Sequence, residues 1–119
     1  MNINFPIIEL IDRLVIAKIK LEKGINSKLE YDFYNNQATR YDLSTIHSLI
    51  EELEIVHNTI WNLESELKSG VEHSLALDEI GRRAIKIRDA NNKRIALRNK
   101  MAELLSDPIR EIKKDHLSQ

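Results

Sequence analysis

Seven apolar residues, Ile46, Leu49, Leu53, Val56, Ile60, Leu63 and Leu67, step along the chain by three and four residues without a break. This is the a/d spacing of a coiled-coil-like helix, whose apolar stripe faces a partner helix. It predicts a helix over about residues 42–69, closed by Gly70, and about 40 Å long at the α-helical rise. A second apolar region, Ile7, Ile8, Leu10, Ile11, Leu14, Val15, Ile16, Ile19 and Leu21, covers too wide an arc for one neighbour. It predicts a shorter helix over about 6–23 that touches two others. Pro6 is tolerated in its first turn and Gly24 suits its end.

The third periodic segment predicts a helix over about 75–105, with Ser74 as its N-cap and Asp78 and Glu79 at the positive end of its dipole. Ser106-Asp107-Pro108 stops it, leaving a tail over 106–119. Between the first two helices lies a connector, 24–41, with room for a helical turn around Lys28 to Tyr34. It holds Tyr31, Phe33, Tyr34 and Tyr41, four of the six aromatic residues. These rings are expected to close one end of the bundle; a stacking surface for a sugar or base is the alternative. The expected fold is all-α, a three-helix bundle in one domain. Two long antiparallel helices are joined by a shorter N-terminal one and followed by a short C-terminal segment.

The third helix breaks the apolar rule. Its seam runs Ile80, Ala84, Ile87, Asn91, Arg94, Arg98, Met101, Leu105, polar in the middle. Buried polar groups need partners. The first helix offers Glu9 and Asp12, and the second offers Asn58, Trp61 and Glu64 at three-residue steps. These sets are expected to converge. In one reading Asn91, Arg94 and Arg98 pair with Glu9, Asp12 and Glu64 to fix helix register or a dimer interface. In the other, the arginines and Asn91 hold a small anionic or sugar ligand against Trp61.

Composition narrows the chemistry. The chain has 119 residues, a net charge of −1 and no cysteine, which excludes disulfides, thiolate metal sites and cysteine nucleophiles. A near-neutral balance argues against a dedicated nucleic-acid binder. Charge is nevertheless uneven. Asp42 to Glu72 carries seven acids and one base, and Arg82 to Lys100 carries eight bases and one acid. Antiparallel neighbours can offset these faces; RNA binding through the third helix is the competing reading and requires steep salt dependence. The first residues, Met1 to Pro6, lack the basic stretch of a secretory leader. Glu9, Asp12, Arg13, Lys18 and Lys20 interrupt the apolar region, so no membrane span is expected, and a cytoplasmic protein is.

Catalytic patterns are sparse. There is no glycine-rich phosphate loop and no nucleophile elbow. Glu54-x-x-His57 is half of a di-iron pattern without its second half, and Glu51-x-x-Glu54 is half of a paired-carboxylate magnesium site. His47, His57, His73 and His116 share no metal spacing. No cofactor and no metal are expected.

Three segments and one lysine carry a family likeness: Glu9-Leu-Ile-Asp12-Arg13 with Lys20, Asn58-Thr-Ile-Trp61-Asn-Leu-Glu64, and Arg88-Asp-Ala-Asn91-Asn92-Lys-Arg94. In this order they resemble a group of uncharacterised bacterial helical proteins often encoded beside glycosyltransferase and lipopolysaccharide genes. The chain departs from that group at Asn92, where an acid is usual, and in its tail. The resemblance adds Arg88 to the candidate ligand set of Glu9, Asp12, Asn58, Trp61, Glu64, Asn91, Arg94 and Arg98. It implies a setting in surface-polysaccharide biosynthesis and no particular reaction. The expected function is a non-enzymatic helical binding or assembly module, a homodimer through the regular seam. The alternative is a small all-α enzyme for a phosphorylated or carboxylated metabolite. Arg94 and Arg98 would then clamp the anion, and Glu9 or Glu64 would serve as acid–base group. Chorismate-mutase-like enzymes use a comparable pocket but have a far longer first helix.

Overall fold

The computed structural model describes residues 6–72 and 76–105. Within them the chain is all-helical, with four helices: α1 Ile7–Glu22, α2 Lys28–Ala38, α3 His47–Glu72 and α4 Leu77–Leu104. The Ser74 cap and the 106–119 tail expected from sequence lie outside the described residues.

α1 ends where its glycine directs. Gly24 adopts φ 82°, and its N–H donates to the Leu21 carbonyl at 3.1 Å. The Ile25 N–H reaches back to the Lys20 carbonyl at 2.9 Å. This pair of bonds is the Schellman closure, and a left-handed residue is what it requires. Gly70 behaves differently. α3 continues through it to Glu72, so the expected stop there is corrected: a glycine ends a helix only where the chain turns left-handed. At the other end, the expected start at Asp42 becomes a 3₁₀ turn, Ser44–Ile46, before α3 begins. The Asp42 carboxylate accepts from the Ser44 backbone N–H at 3.1 Å and from its hydroxyl at 2.7 Å.

The connector holds more helix than the sequence suggests. α2 has 11 residues and packs on α1 alone among the helices. Its aromatic rings therefore do not close an end of the bundle. Phe33 and Tyr41 stay substantially exposed, and Tyr31 and Tyr34 are half-buried. A Lys28–Asp32 ion pair at 2.8 Å supports the helix locally. Its preceding residue, Ser27, is buried and donates its hydroxyl to the Ala17 carbonyl of α1 at 3.2 Å.

The core gathers Ile8, Ile11, Val15 and Ile19 of α1, Ile46, Leu49, Leu53 and Val56, and Leu97, Met101 and Ala102 of α4. The a/d seam of α3 is thus buried in its first half. Its second half is not. From Asn58 to Ser69 and from Ala76 to Lys93 no side chain is buried. Ile60, Leu63, Leu67, Ile80 and Ile87 are only half covered. α1, with 16 residues, is shorter than α3 and α4, with 26 and 28. The α3–α4 hairpin therefore has a packed body and a bare arm. The shape agrees: the radius of gyration is 15.9 Å, against about 13 Å for a compact chain of this length.

Leu53→Ala, in the body, should cost about 2–5 kcal/mol. Leu63→Ala, in the arm, should cost less than half as much, because its neighbours leave it partly in water. Urea denaturation of both variants checks the contrast; equal losses would mean that the arm is packed as tightly as the body.

Candidate functional site

The polar middle of α4 meets α1 at one carboxylate. Asp12 is buried, at 4% exposure, among the apolar residues of α1. Its Oδ2 accepts from Arg94 Nη1 at 3.2 Å and from Arg98 Nη1 at 3.3 Å. Its Oδ1 accepts from His57 Nε2 of α3 at 2.6 Å. Arg98 spans two carboxylates, since its Nη2 donates to Glu9 Oε2 at 3.0 Å. Glu9 also accepts from Arg13 Nε at 2.9 Å, and Arg13 Nη1 donates to the Tyr34 hydroxyl of α2 at 3.4 Å. One network therefore touches all four helices.

Helical periodicity explains the convergence. Glu9, Asp12 and Arg13 stand at i, i+3 and i+4, and Arg94 and Arg98 at i and i+4, so each set projects from one face. Burial would push the Asp12 carboxyl up. The hydrogen bond and charge of His57, with the charges of Arg98 and Arg94, outweigh that and hold it below its ordinary value. An ionised carboxylate can only accept, so His57 carries a proton on Nε2.

Of the residues expected to meet here, Glu9, Asp12, Arg94 and Arg98 do. Glu64 does not: it is exposed on α3, beyond the body of the fold. Arg88 is also exposed, with Asp89 as its neighbour at 3.5 Å. Trp61 is half-buried and packs against the apolar core. Asn58 and Asn91 are half-buried, and among the described residues neither shares a hydrogen bond with the cluster.

His57 is the member that sequence reading missed. It follows the seam residue Val56 and so flanks the stripe on the side that meets α1. As half of Glu54-x-x-His57 it reads as a metal fragment, yet the two side chains part: Glu54 pairs with Lys18 of α1 at 3.0 Å, and His57 with Asp12. Among the described residues no group of three or more His, Cys, Asp or Glu side chains could hold a metal ion. No described helix is long and apolar enough to cross a membrane.

Chemically, the cluster is an ion lock. One carboxylate accepts from two guanidinium groups of α4 and fixes an imidazole from α3. Removing it leaves half-buried cations facing one another. Asp12→Asn should therefore cost about 3–5 kcal/mol at neutral pH. Because the folded carboxyl titrates below its ordinary value of 3.8, its contribution is fully present above that pH and is lost as pH falls through the folded value. The stability gap between wild type and Asp12→Asn should accordingly close below that pH. Denaturant titrations across the acid range measure it; a gap that persisted under acid would show that the charge of Asp12 is not what stabilises the fold.

Compared with known proteins, the chain matches no family model, no curated protein and no solved structure.

Proposed function

We propose that this chain is a non-enzymatic helical binding or assembly module that works as a homodimer, with its polar seam as an internal register lock. One observation carries the reading: Arg94 and Arg98, the two guanidinium groups best placed to clamp an anion, already face the chain's own Asp12 and Glu9. An incoming phosphate or carboxylate would have to displace a buried Asp12 and strand its charge, which is costly. Trp61, the ring against which a ligand would stack, is engaged by the apolar core. The finer arrangement we infer is a three-helix bundle of α1, α3 and α4, with α2 as an outer layer. The cytoplasmic location and the surface-polysaccharide setting belong to this proposal as well. The setting rests on the resemblance carried by the Glu9–Arg13, Asn58–Glu64 and Arg88–Arg94 segments.

A second reading has its own support. Arg94 and Arg98 converge on one face of α4, and guanidinium groups so placed bind phosphate and carboxylate groups well. A small anion at the edge of the cluster is the ligand that such a pair would take.

Thermal denaturation against sugar phosphates, nucleotide sugars and nucleotides separates the two. A ligand at about 100 times its dissociation constant stabilises a fold by about 2.7 kcal/mol, a shift of several degrees. The assembly reading expects no shift in wild type and a lower melting temperature for Arg94→Ala. A shift in wild type that is lost in Arg94→Ala would overturn it in favour of the ligand site.

A further inference from the structure

α1 is covered on two sides. Ile8, Ile11, Val15 and Ile19 face the core. Leu10 and Ala17 are as deeply buried, at 2% and 0% exposure, yet stand apart from it. At about 100° per residue they project from the opposite side of the helix, with the half-buried Leu14 between them. α2 lies on that side. Its Tyr34 hydroxyl meets Arg13, its Glu30 pairs with Lys20 at 3.7 Å, and the Ser27 hydroxyl just before it donates to the Ala17 carbonyl. Little apolar burial holds α2 there. Among the helices it touches α1 alone, and Ala38 is its one buried residue. Its larger apolar side chains, Leu29 and Phe33, are exposed. Resistance to local opening follows buried apolar contact, so α2 is the helix least bound to the rest. It joins α1 through the left-handed Gly24 and reaches the Ser44–Ile46 turn through the exposed residues 39–42.

We propose that α2 is a hinged cover. It swings off α1 as a unit while the body of α1, α3 and α4 stays folded, and it uncovers a second apolar strip made of Leu10, Leu14 and Ala17. The body survives because opening breaks none of its contacts. The core contains no residue of α2, and the Asp12 lock joins α1 to α3 and α4 without it. The closed form dominates because an apolar strip in water is unfavourable. The Ser27 hydroxyl is the latch: it is buried and ties the start of α2 to the backbone of α1 at 3.2 Å. The strip is therefore a surface of the protein in the open form and is screened in the closed one. Hinges of this kind sit at element ends, where a few residues absorb the change in backbone angles.

The chain has no cysteine, so single introduced thiols report the opening. Ala17→Cys lies under α2 and Ala102→Cys lies in the core, at matched exposures of 0% and 1%. Reaction with an aromatic disulfide reagent measures how often each is uncovered. Ala17→Cys should react at least about ten-fold faster than Ala102→Cys. Its rate should rise little with dilute urea, because a local opening exposes little surface. Adding Ser27→Ala should speed the Ala17→Cys reaction by about five-fold, the worth of one hydrogen bond, and leave that of Ala102→Cys unchanged. Circular dichroism checks that each variant folds. Hydrogen exchange of the wild type needs no variant: the amides of α2 should exchange well ahead of those around Leu53. Equal rates and equal urea dependence at the two thiols overturn the cover, since α2 then leaves α1 only when the whole chain unfolds. So does exchange of α2 in step with Leu53. A fast Ala17→Cys reaction that Ser27→Ala does not change supports the cover and overturns Ser27 as its latch.

Discussion

A single buried carboxylate decides how this fold is held. Asp12 sits in the apolar face of α1, where an unpaired charge would be severely destabilising. It survives there because Arg94 and Arg98 of α4 and His57 of α3 all donate to it. The dependence is mutual. Without Asp12 the two arginines, one turn apart on α4, would repel each other in a poorly screened interior. Apolar contacts would hold the helices together in several registers at similar cost. Three donors converging on one carboxylate tolerate only one. The lock thus trades some stability for a unique alignment of α1 against the hairpin, an exchange known from polar residues in coiled-coil seams.

That lock also marks a boundary along the hairpin. On one side of His57 and Arg94 lie Leu53, Val56, Leu97 and Met101, all buried. On the other the same a/d spacing continues through Ile60, Leu63 and Leu67 without burying any of them. Sequence periodicity is identical in the two halves; what differs is whether a third helix covers the seam. α1 is too short to cover both, because the Schellman closure at Gly24 ends it. The bare arm is therefore a consequence of where one glycine falls.

The helices of this protein are legible in its sequence because their signals are local. The step of three and four from Ile46 to Leu67 marks α3, and Gly24 marks the end of α1. Asp12, Glu9, Arg94 and Arg98 are legible as a converging set, since polar residues in an apolar row must find partners. α2 is not, because its residues are weakly patterned and only Ala38 is buried. It is held by long-range contacts such as Ser27 with Ala17, Lys20 with Glu30 and Arg13 with Tyr34. Glu64 stands outside the cluster for a geometric reason. Spacing shows which residues share a face but not how far along α3 the neighbouring helix reaches. His57 escaped for the opposite reason: a lone histidine carries no pattern, and only the tertiary position of Asp12 gives it a role.

Charge read from sequence and charge available at the surface differ here in a way that bears on partners. α4 carries eight bases. Arg94 and Arg98 turn inward to Asp12 and Glu9, and Arg82 and Arg83 bind Asp78, Glu79 and Glu66. Lys86, Lys93 and Lys100 are exposed, spaced one heptad apart, with Asp89 and Glu103 exposed on the same helix. A polyanion binds by releasing counterions from a dense run of cations, and acids within the run oppose it. A helix edge of alternating sign is better suited to a surface that also carries both charges and some apolar area. The internal ion lock and the outward charge of α4 are therefore linked. By drawing two arginines into the body, the lock lowers the density of cations that α4 presents at its surface.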